Sequence, residues 1–337
     1  MLAPGTDPMR RARRRSGLPS GAGGAVARVG NDAGDGHVVL ADGRTITYRE
    51  FGASSGDVLI ALHGTPGSRL KFTVADPVAR ALGLRVIAPD RWGYGATTAH
   101  PKPSLRAFAE DMAAFADQLD LGRFSLLGVS GGGPFAAAVA SELPDRVSAL
   151  ALAAPVGPIA GEPDTEITAF HRWCFGQLAR QPSTVGAVFH AFRAVLGVSP
   201  DIGMRMAMVR VASADRRILR QPNVSIRLGQ TFVEGLRPGV AGPVTDLAVF
   251  GAPWDIDLAR AVMPARLWLG SVDQNVPRSA ARRLAARLPT CQLTELPGEG
   301  HLWIANNYAT VLGWVAEIDR RAQVPAAPSE ETDANRS

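Results

Sequence analysis

Phe124-Ser125-Leu126-Leu127-Gly128-Val129-Ser130-Gly131-Gly132-Gly133-Pro134-Phe135 is an apolar run that meets a serine set among glycines and leaves through an alanine-rich stretch ending near Leu143. A strand, a serine between glycines and then a helix is the arrangement that lifts a hydroxyl out of a sharp turn at the edge of a sheet. Crowding explains the glycines: so tight a turn presses the neighbours of the serine against the adjacent strand and helix and demands angles that a Cβ resists. Gly128 and Gly132 supply the room. Because the helix starts at the nucleophile, its first free N–H groups point at charge developing near Ser130, and the N–H of Gly131 is the first oxyanion donor expected. In a chain with 36 glycines such a string also arises by chance, so its surroundings decide.

A serine hydroxyl needs a base to accept its proton, and the base needs an acid to hold its tautomer. Arg266 to Gly270 is a short apolar strand that runs into Ser271-Val272-Asp273-Gln274-Asn275-Val276-Pro277. Cys291 to Leu296 reads as a further strand, followed by Pro297-Gly298-Glu299-Gly300-His301 at the mouth of a final helix. Serine, acid, histidine is the chain order of one hydrolase architecture and differs from the other two familiar triad orders. Asp246, Asp255 and Asp257 compete for the acid role, but they precede the strand at Arg266, and an acid must lie beyond a strand's carboxyl end to reach the imidazole. Glu299 is the weaker rival beside His301, and Asp90, among turn glycines before the nucleophile, is expected to be structural.

The second oxyanion donor is expected after an early strand, Val58 to Leu62, in His63-Gly64-Thr65-Pro66-Gly67-Ser68. Pro66 has no N–H, so the amide of Thr65 is the candidate, with Gly64 behind it. A cis Thr65-Pro66 bond suits such a turn. His63, just before a glycine turn, is expected to be a hydrogen-bonded structural residue rather than the base.

These pieces together resemble the alpha/beta-hydrolase superfamily over His37 to Arg321. The HGTPGS loop at His63 to Ser68, the DRWGYG turn at Asp90 to Gly95, the GVSGG elbow, the SVDQNVP loop and the GEGH segment follow one another in the order of that family. The resemblance implies an α/β fold: a mostly parallel eight-stranded sheet with helices on both faces, and a nucleophile, acid and base at Ser130, Asp273 and His301. Relatives that open epoxides or remove halide carry an aspartate at the elbow, where this chain has serine. Proline iminopeptidases share the HGxPG loop but usually place tryptophan after the nucleophile, where this chain has Gly131. Cofactor-free haloperoxidases and some carbon–carbon bond hydrolases keep the same triad. The expected function is therefore a serine hydrolase acting on an ester or related acyl bond without a cofactor. The alternatives are a hydrolase-like ligand receptor and non-hydrolytic use of the same site as a lyase, acyl transferase or peroxidase.

Before the parallel strands, Val38 to Leu40 and Thr45 to Phe51 flank Ala41-Asp42-Gly43-Arg44, an Asp-Gly hairpin signal. Leu84 to Ala88 is the next strand, and Leu105 to Leu119 spaces its apolar residues as a helix covering one sheet face. More than a hundred residues then separate the strand Val147 to Ala153 from the strand at Arg266, far beyond the links of about two to six residues typical of α/β units. Thr168 to Arg180, Thr184 to Leu196, Ile202 to Val211 and Ile226 to Leu236 show helical spacing, broken by Pro182, Pro200, Pro222 and Pro238. They predict a helical cap over 156–245, seated where open sheets bind ligands, between core segments 37–155 and 246–321. About a third of its large apolar residues (Phe170, Trp173, Phe175, Phe189, Phe192, Met204, Met206, Met208 and Phe232) are expected to roof a pocket for an apolar small molecule, Trp173 and Phe232 first among them. His171 and His190 have no partner at metal-ligand spacing, and no metal site is expected.

The 337 residues suffice for one large core and a cap, and 46% hydrophobic with 20% charged is ordinary for a globular enzyme. Residues 1–36 are rich in glycine, alanine and arginine, lack apolar periodicity and are expected to be a disordered basic tail, and 322–337 at the other end is expected to be disordered but not basic. Met9-Arg10-Arg11-Ala12-Arg13-Arg14-Arg15 is not followed by the apolar core of a signal peptide. The net charge of +5 is spread too thinly for a nucleic-acid footprint. No run of about 18 apolar residues predicts a membrane span, and Cys174 and Cys291, expected as buried thiols, make no disulfide framework. A cytoplasmic location is the expectation.

Overall fold

Short apolar strands alternating with helices close, in the computed structural model, into one eight-stranded sheet; residues 34–162, 164, 166–199, 202–204 and 211–323 are described. The strands are β1 (Asp35–Val39), β2 (Thr45–Gly52), β3 (Asp57–Leu62), β4 (Leu84–Pro89), β5 (Phe124–Val129), β6 (Val147–Ala153), β7 (Ala265–Gly270) and β8 (Cys291–Leu296), in the spatial order β1-β2-β4-β3-β5-β6-β7-β8. β2 runs antiparallel to β1 and β4, and every later pairing is parallel. Gly43 turns the β1–β2 hairpin at positive φ, as the Asp-Gly signal predicts. β1 starts at Asp35, inside the stretch expected as tail, and the last helix runs on to Gln323; the remainder of both expected tails lies outside the described residues.

Every residue of β5 is buried, the mark of a strand with helices on both faces. One face packs against helices Leu105–Gln118 and Gly133–Glu142 around Phe108, Phe115, Phe124 and Phe135. The other packs against Asp76–Leu82 and Tyr308–Gln323 around Phe72, Leu127, Trp268 and Val315. Ser104 caps the first of these helices, accepting the N–H of Ala107 at 3.2 Å. The alanines of Gly133–Glu142 follow from its position: it is buried nearly all round, and only small side chains let it sit against both the sheet and its neighbour.

Between β6 and β7 the chain forms the helical layer the spacing predicts, with differences that have local causes. Thr168 to Arg180 is not one α-helix but a single turn at Ala169–Arg172, a π-turn at Trp173–Gln177 and a 3-10 turn at Leu178–Arg180. Its aromatic residues, cysteine and Gly176 are weak helix formers. The helical segments are interrupted at Pro182 and Pro222 as expected, and each proline itself opens the next helix, Pro182–Val198 and Pro222–Gly235, where its missing N–H costs nothing. Of the run Ile202 to Val211, Ile202 to Met204 is helical and 205–210 lie outside the described residues, as does Pro200. Two further helices, Ser213–Leu219 and Ala241–Phe250, complete the layer, and the second runs straight through the boundary expected at 245/246. Among the described residues no helix is long and apolar enough to cross a membrane.

Candidate active site

β5 delivers Ser130 to the centre of the sheet's carboxyl edge. Ser130 has φ 54°, a left-handed conformation that costs a side-chain-bearing residue on the order of 1–3 kcal/mol and persists only where its surroundings enforce it. The enforcement is visible. A Cβ on Gly128 would stand 2.8 Å from Ala136 Cβ, and one on Gly132 would stand 2.3 Å from the carbonyl oxygen of Leu62, so only glycine lets strand, turn and helix approach this closely. The α-helix does not begin at the serine itself: a 3-10 turn, Ser130–Gly132, intervenes and carries Gly131.

β7 and β8 bring the other two groups. Asp273 follows β7, and its Oδ1 accepts the N–H groups of Asn275 at 2.8 Å and Val276 at 3.2 Å. Its Oδ2 lies 2.8 Å from His301 Nδ1, and His301 Nε2 lies 2.9 Å from Ser130 Oγ. The carboxylate fixes the ring with its proton on Nδ1, which leaves Nε2 free to accept from the serine. Burial alone would push the His301 pKa down; the charge and hydrogen bond of Asp273 outweigh it and hold the imidazole above its ordinary value. The structure thus brings Ser130, Asp273 and His301 into one hydrogen-bonded line.

The rivals for the acid role are engaged elsewhere. Asp246 forms a buried ion pair with Arg91, whose Nη2 is 2.8 Å from Oδ2, and Oδ2 also accepts Tyr94 Oη at 2.6 Å and Thr65 Oγ1 at 2.5 Å. Asp255 accepts the N–H of Leu105 at 3.1 Å, Asp257 that of Ala259 at 3.0 Å, and Asp90 pairs with Arg69 at 2.6 Å. Glu299 meets the acid loop through its backbone, where its carbonyl oxygen accepts the N–H of Val272 at 3.0 Å. His63 is wholly buried, takes the N–H of Arg91 on Nε2 at 3.0 Å and sets Nδ1 against the carbonyl of Gly64 at 2.8 Å. Burial, reinforced by Arg91, holds it neutral. It braces the loop and does not reach the serine's proton.

Thr65-Pro66 is cis, and Thr65 stands directly against Gly131: a Cβ on Gly131 would stand 2.1 Å from Thr65 Oγ1. Gly64 is farther round the turn, with its own Cβ position 3.2 Å from Ser130 Cβ. Arg91 holds this loop from beneath, donating to the carbonyls of His63 and Gly64 at 3.1 Å each.

Two cavities share Ser130 and His301 in their walls. One of about 420 Å³ is roofed by Phe170, Trp173, Phe175 and Phe189; the other, of about 240 Å³, is walled by Met204, Leu228 and Phe232. More of the cap's large apolar residues face the site than the third expected. Phe192 instead packs edge-on to Phe232, with ring centroids 6.0 Å apart, and Met206 and Met208 lie outside the described residues. Met204, Val211 and Leu219, a small buried cluster of the layer, also line the smaller cavity, so one set of side chains serves both packing and site. Trp173, 45% exposed, stands at a mouth rather than in the floor. Cys174 is half-buried beside it, and Cys291 half-buried on the edge strand, so neither is the buried thiol expected. His171 sets Nε2 against the carbonyl of Gln274 at 3.0 Å, and His190 is exposed.

Four residues take parts that a reading of the sequence does not give them. Asp215, on the helix Ser213–Leu219, accepts the N–H of His301 at 3.0 Å and of Leu302 at 2.7 Å, pinning the histidine's own backbone to the cap. Arg91 and Asp246 meet across 155 residues of chain. Lys71 lines the smaller cavity.

The family model for the alpha/beta hydrolase fold matches residues 57–307. A haloalkane dehalogenase of Bradyrhizobium diazoefficiens is 27% identical over 305 residues, which cover 82% of this chain and 93% of the relative. Among solved structures, an alpha/beta hydrolase fold protein from Nakamurella multipartita superposes with a TM-score of 0.61 at 26% identity, covering 86% of this chain and 99% of that one. A thermophilic esterase from Thermogutta terrifontis gives 0.63 at 22% identity, covering 87% and 100%.

Proposed function

The chain belongs to the alpha/beta hydrolase fold family, and from that premise we propose that it is a serine hydrolase cleaving an ester or related acyl bond of a small, largely apolar molecule. The observation that carries this reading is the unbroken relay from Asp273 Oδ2 through the His301 ring to Ser130 Oγ, at 2.8 and 2.9 Å. An aspartate at the elbow, as dehalogenating relatives carry, displaces a leaving group with its own carboxylate; a serine with an imidazole in reach is suited instead to attack on a carbonyl.

In the proposed cycle His301 Nε2 takes the proton of Ser130 as Oγ bonds to the carbonyl carbon. Asp273 stabilises the imidazolium, and the amides of Thr65 and Gly131 receive the oxyanion. Collapse breaks the bond to the alcohol, which leaves with the proton held by His301. Water then loses a proton to His301, attacks the acyl carbon and releases the acid, and Ser130 recovers its proton. The cap over 156–245 supplies the apolar walls, with Trp173 lining one of the two cavities that share the serine and Phe232 the other. A cytoplasmic location belongs to the same proposal, in keeping with two cysteines that are not joined in a disulfide.

Turnover of 4-nitrophenyl esters from acetate to octanoate tests the reading. Steady release of 4-nitrophenol by the wild type, lost in Ser130→Ala and His301→Ala, is expected. Stoichiometric binding without release would make the protein a receptor and overturn it.

A further inference from the structure

Among the described residues, one charged side chain besides the relay lines the cavity that holds the reacting serine. Lys71 lies on the 3-10 segment Arg69–Ala75, just past the HGTPGS loop, and shares the cavity of about 240 Å³ with Ser130, Thr231, Phe232 and His301. His301 is the other ionisable group in that wall, which is otherwise apolar or uncharged. Lys71 also borders a small cavity of about 40 Å³ that shares Leu228, Thr231, Leu302 and Ala305 with the first and is edged by the exposed Arg227.

Among the described residues no carboxylate pairs with Lys71. The nearby acids belong to Arg69, whose guanidinium contacts Asp35 at 2.5 Å, Asp90 at 2.6 Å and Glu234 at 2.7 Å. An ammonium drawn out of water without a counter-charge is unfavourable, and burial pulls this one down to about 8. Its charge is felt at the site, where it works against protonation of His301. A cation so placed is built for an anion that arrives with the ligand.

We propose that Lys71 binds a carboxylate carried by the substrate, so that the site takes acyl compounds with an apolar body and one anionic end. The inference rests on the serine-hydrolase reading for its reaction, but not for its binding step. A monoanion is favoured over a phosphate because Lys71 supplies the one ammonium to the cavity that holds Ser130, amid apolar side chains, while Arg227 edges only the smaller neighbouring cavity.

The binding step is tested in the Ser130→Ala protein, which needs no turnover, by calorimetric titration with hexanoate and with hexanamide. Hexanoate should bind about tenfold or more tightly than the amide, as a charge-assisted contact requires, and Lys71→Met or Lys71→Gln should abolish the difference. Equal binding of acid and amide, no binding of either, or a preference that survives both substitutions overturns the proposal. The reaction is tested by kcat/KM for 4-nitrophenyl monoesters of adipic and pimelic acid against 4-nitrophenyl hexanoate and heptanoate. A ratio favouring the acid esters in the wild type and collapsing in Lys71→Met is expected; Ser130-dependent turnover with the same ratio in both proteins contradicts it. If no ester is turned over while hexanoate still binds through Lys71, the hydrolase reading fails and the subsite stands. Loss of an unpaired charge should leave the thermal midpoint of Lys71→Met at or above that of the wild type, so a null result cannot come from misfolding.

Discussion

Gly131 and Thr65 fit together without room for a methyl group: the Cβ that any other residue would carry at 131 falls 2.1 Å from Thr65 Oγ1. Thr65 cannot yield, because that oxygen is held by Asp246 at 2.5 Å and Arg91 at 3.1 Å. Gly131→Ala is therefore expected to push apart the two amides proposed to bind the oxyanion. Loss of one such donor costs on the order of 3 kcal/mol, so kcat should fall about a hundredfold with KM little changed, measured by steady-state ester hydrolysis.

Asp273→Asn keeps the shape of the acid and removes its charge. The amide can present N–H to Nδ1 and stabilise the wrong tautomer, and kcat is expected to fall by about 10⁴. The pH profile carries a signed test. His301 acts as a base only when neutral, so activity is lost as pH falls through its pKa, which Asp273 holds above the ordinary 6.5. In the variant the residual activity should persist to lower pH.

Asp215→Asn leaves the ring of His301 and its relay partners in place while removing the charge beneath its backbone. Because Asp215 also favours the protonated imidazole, the acid limb of kcat/KM should move to lower pH, and kcat should drop about tenfold as the 301–302 turn loosens. A purely structural residue would lower the melting midpoint without moving the limb. Kinetics across pH and thermal unfolding of the same samples separate the two.

Asp246→Ala should act on stability first. It leaves Arg91, 1% exposed, as an uncompensated buried cation beneath the HGTPGS loop. A loss of about 3–5 kcal/mol in urea unfolding is expected, with activity lost as the loop shifts.

Much of this was legible where the cause is local. The β5–Ser130–helix unit is dictated by an apolar run, glycines at contact distance and alanines in a buried helix, so its limits can be read within a residue or two. Asp273 and His301 are legible because each follows a strand of the same sheet, the apolar β7 and the half-polar edge strand β8, and must therefore lie at the same sheet edge. Asp215 was not, since nothing in Ser213-Ala214-Asp215 announces that its carboxylate will meet amides 86 residues on. The same distance in sequence hides Arg91 with Asp246. The prolines at 182 and 222 mark the breaks between helices, and each opens its helix two to four residues before the apolar spacing begins, because a first turn needs no N–H there.

The central claim, that Ser130 is an alcohol activated by His301, is tested most directly by a fluorophosphonate probe read by intact mass and peptide mapping. The account predicts one adduct on wild-type protein, located at Ser130, greatly slowed in His301→Ala and absent in Ser130→Ala. Equal labelling of the wild type and Ser130→Ala, or an adduct mapped to another residue, would contradict it.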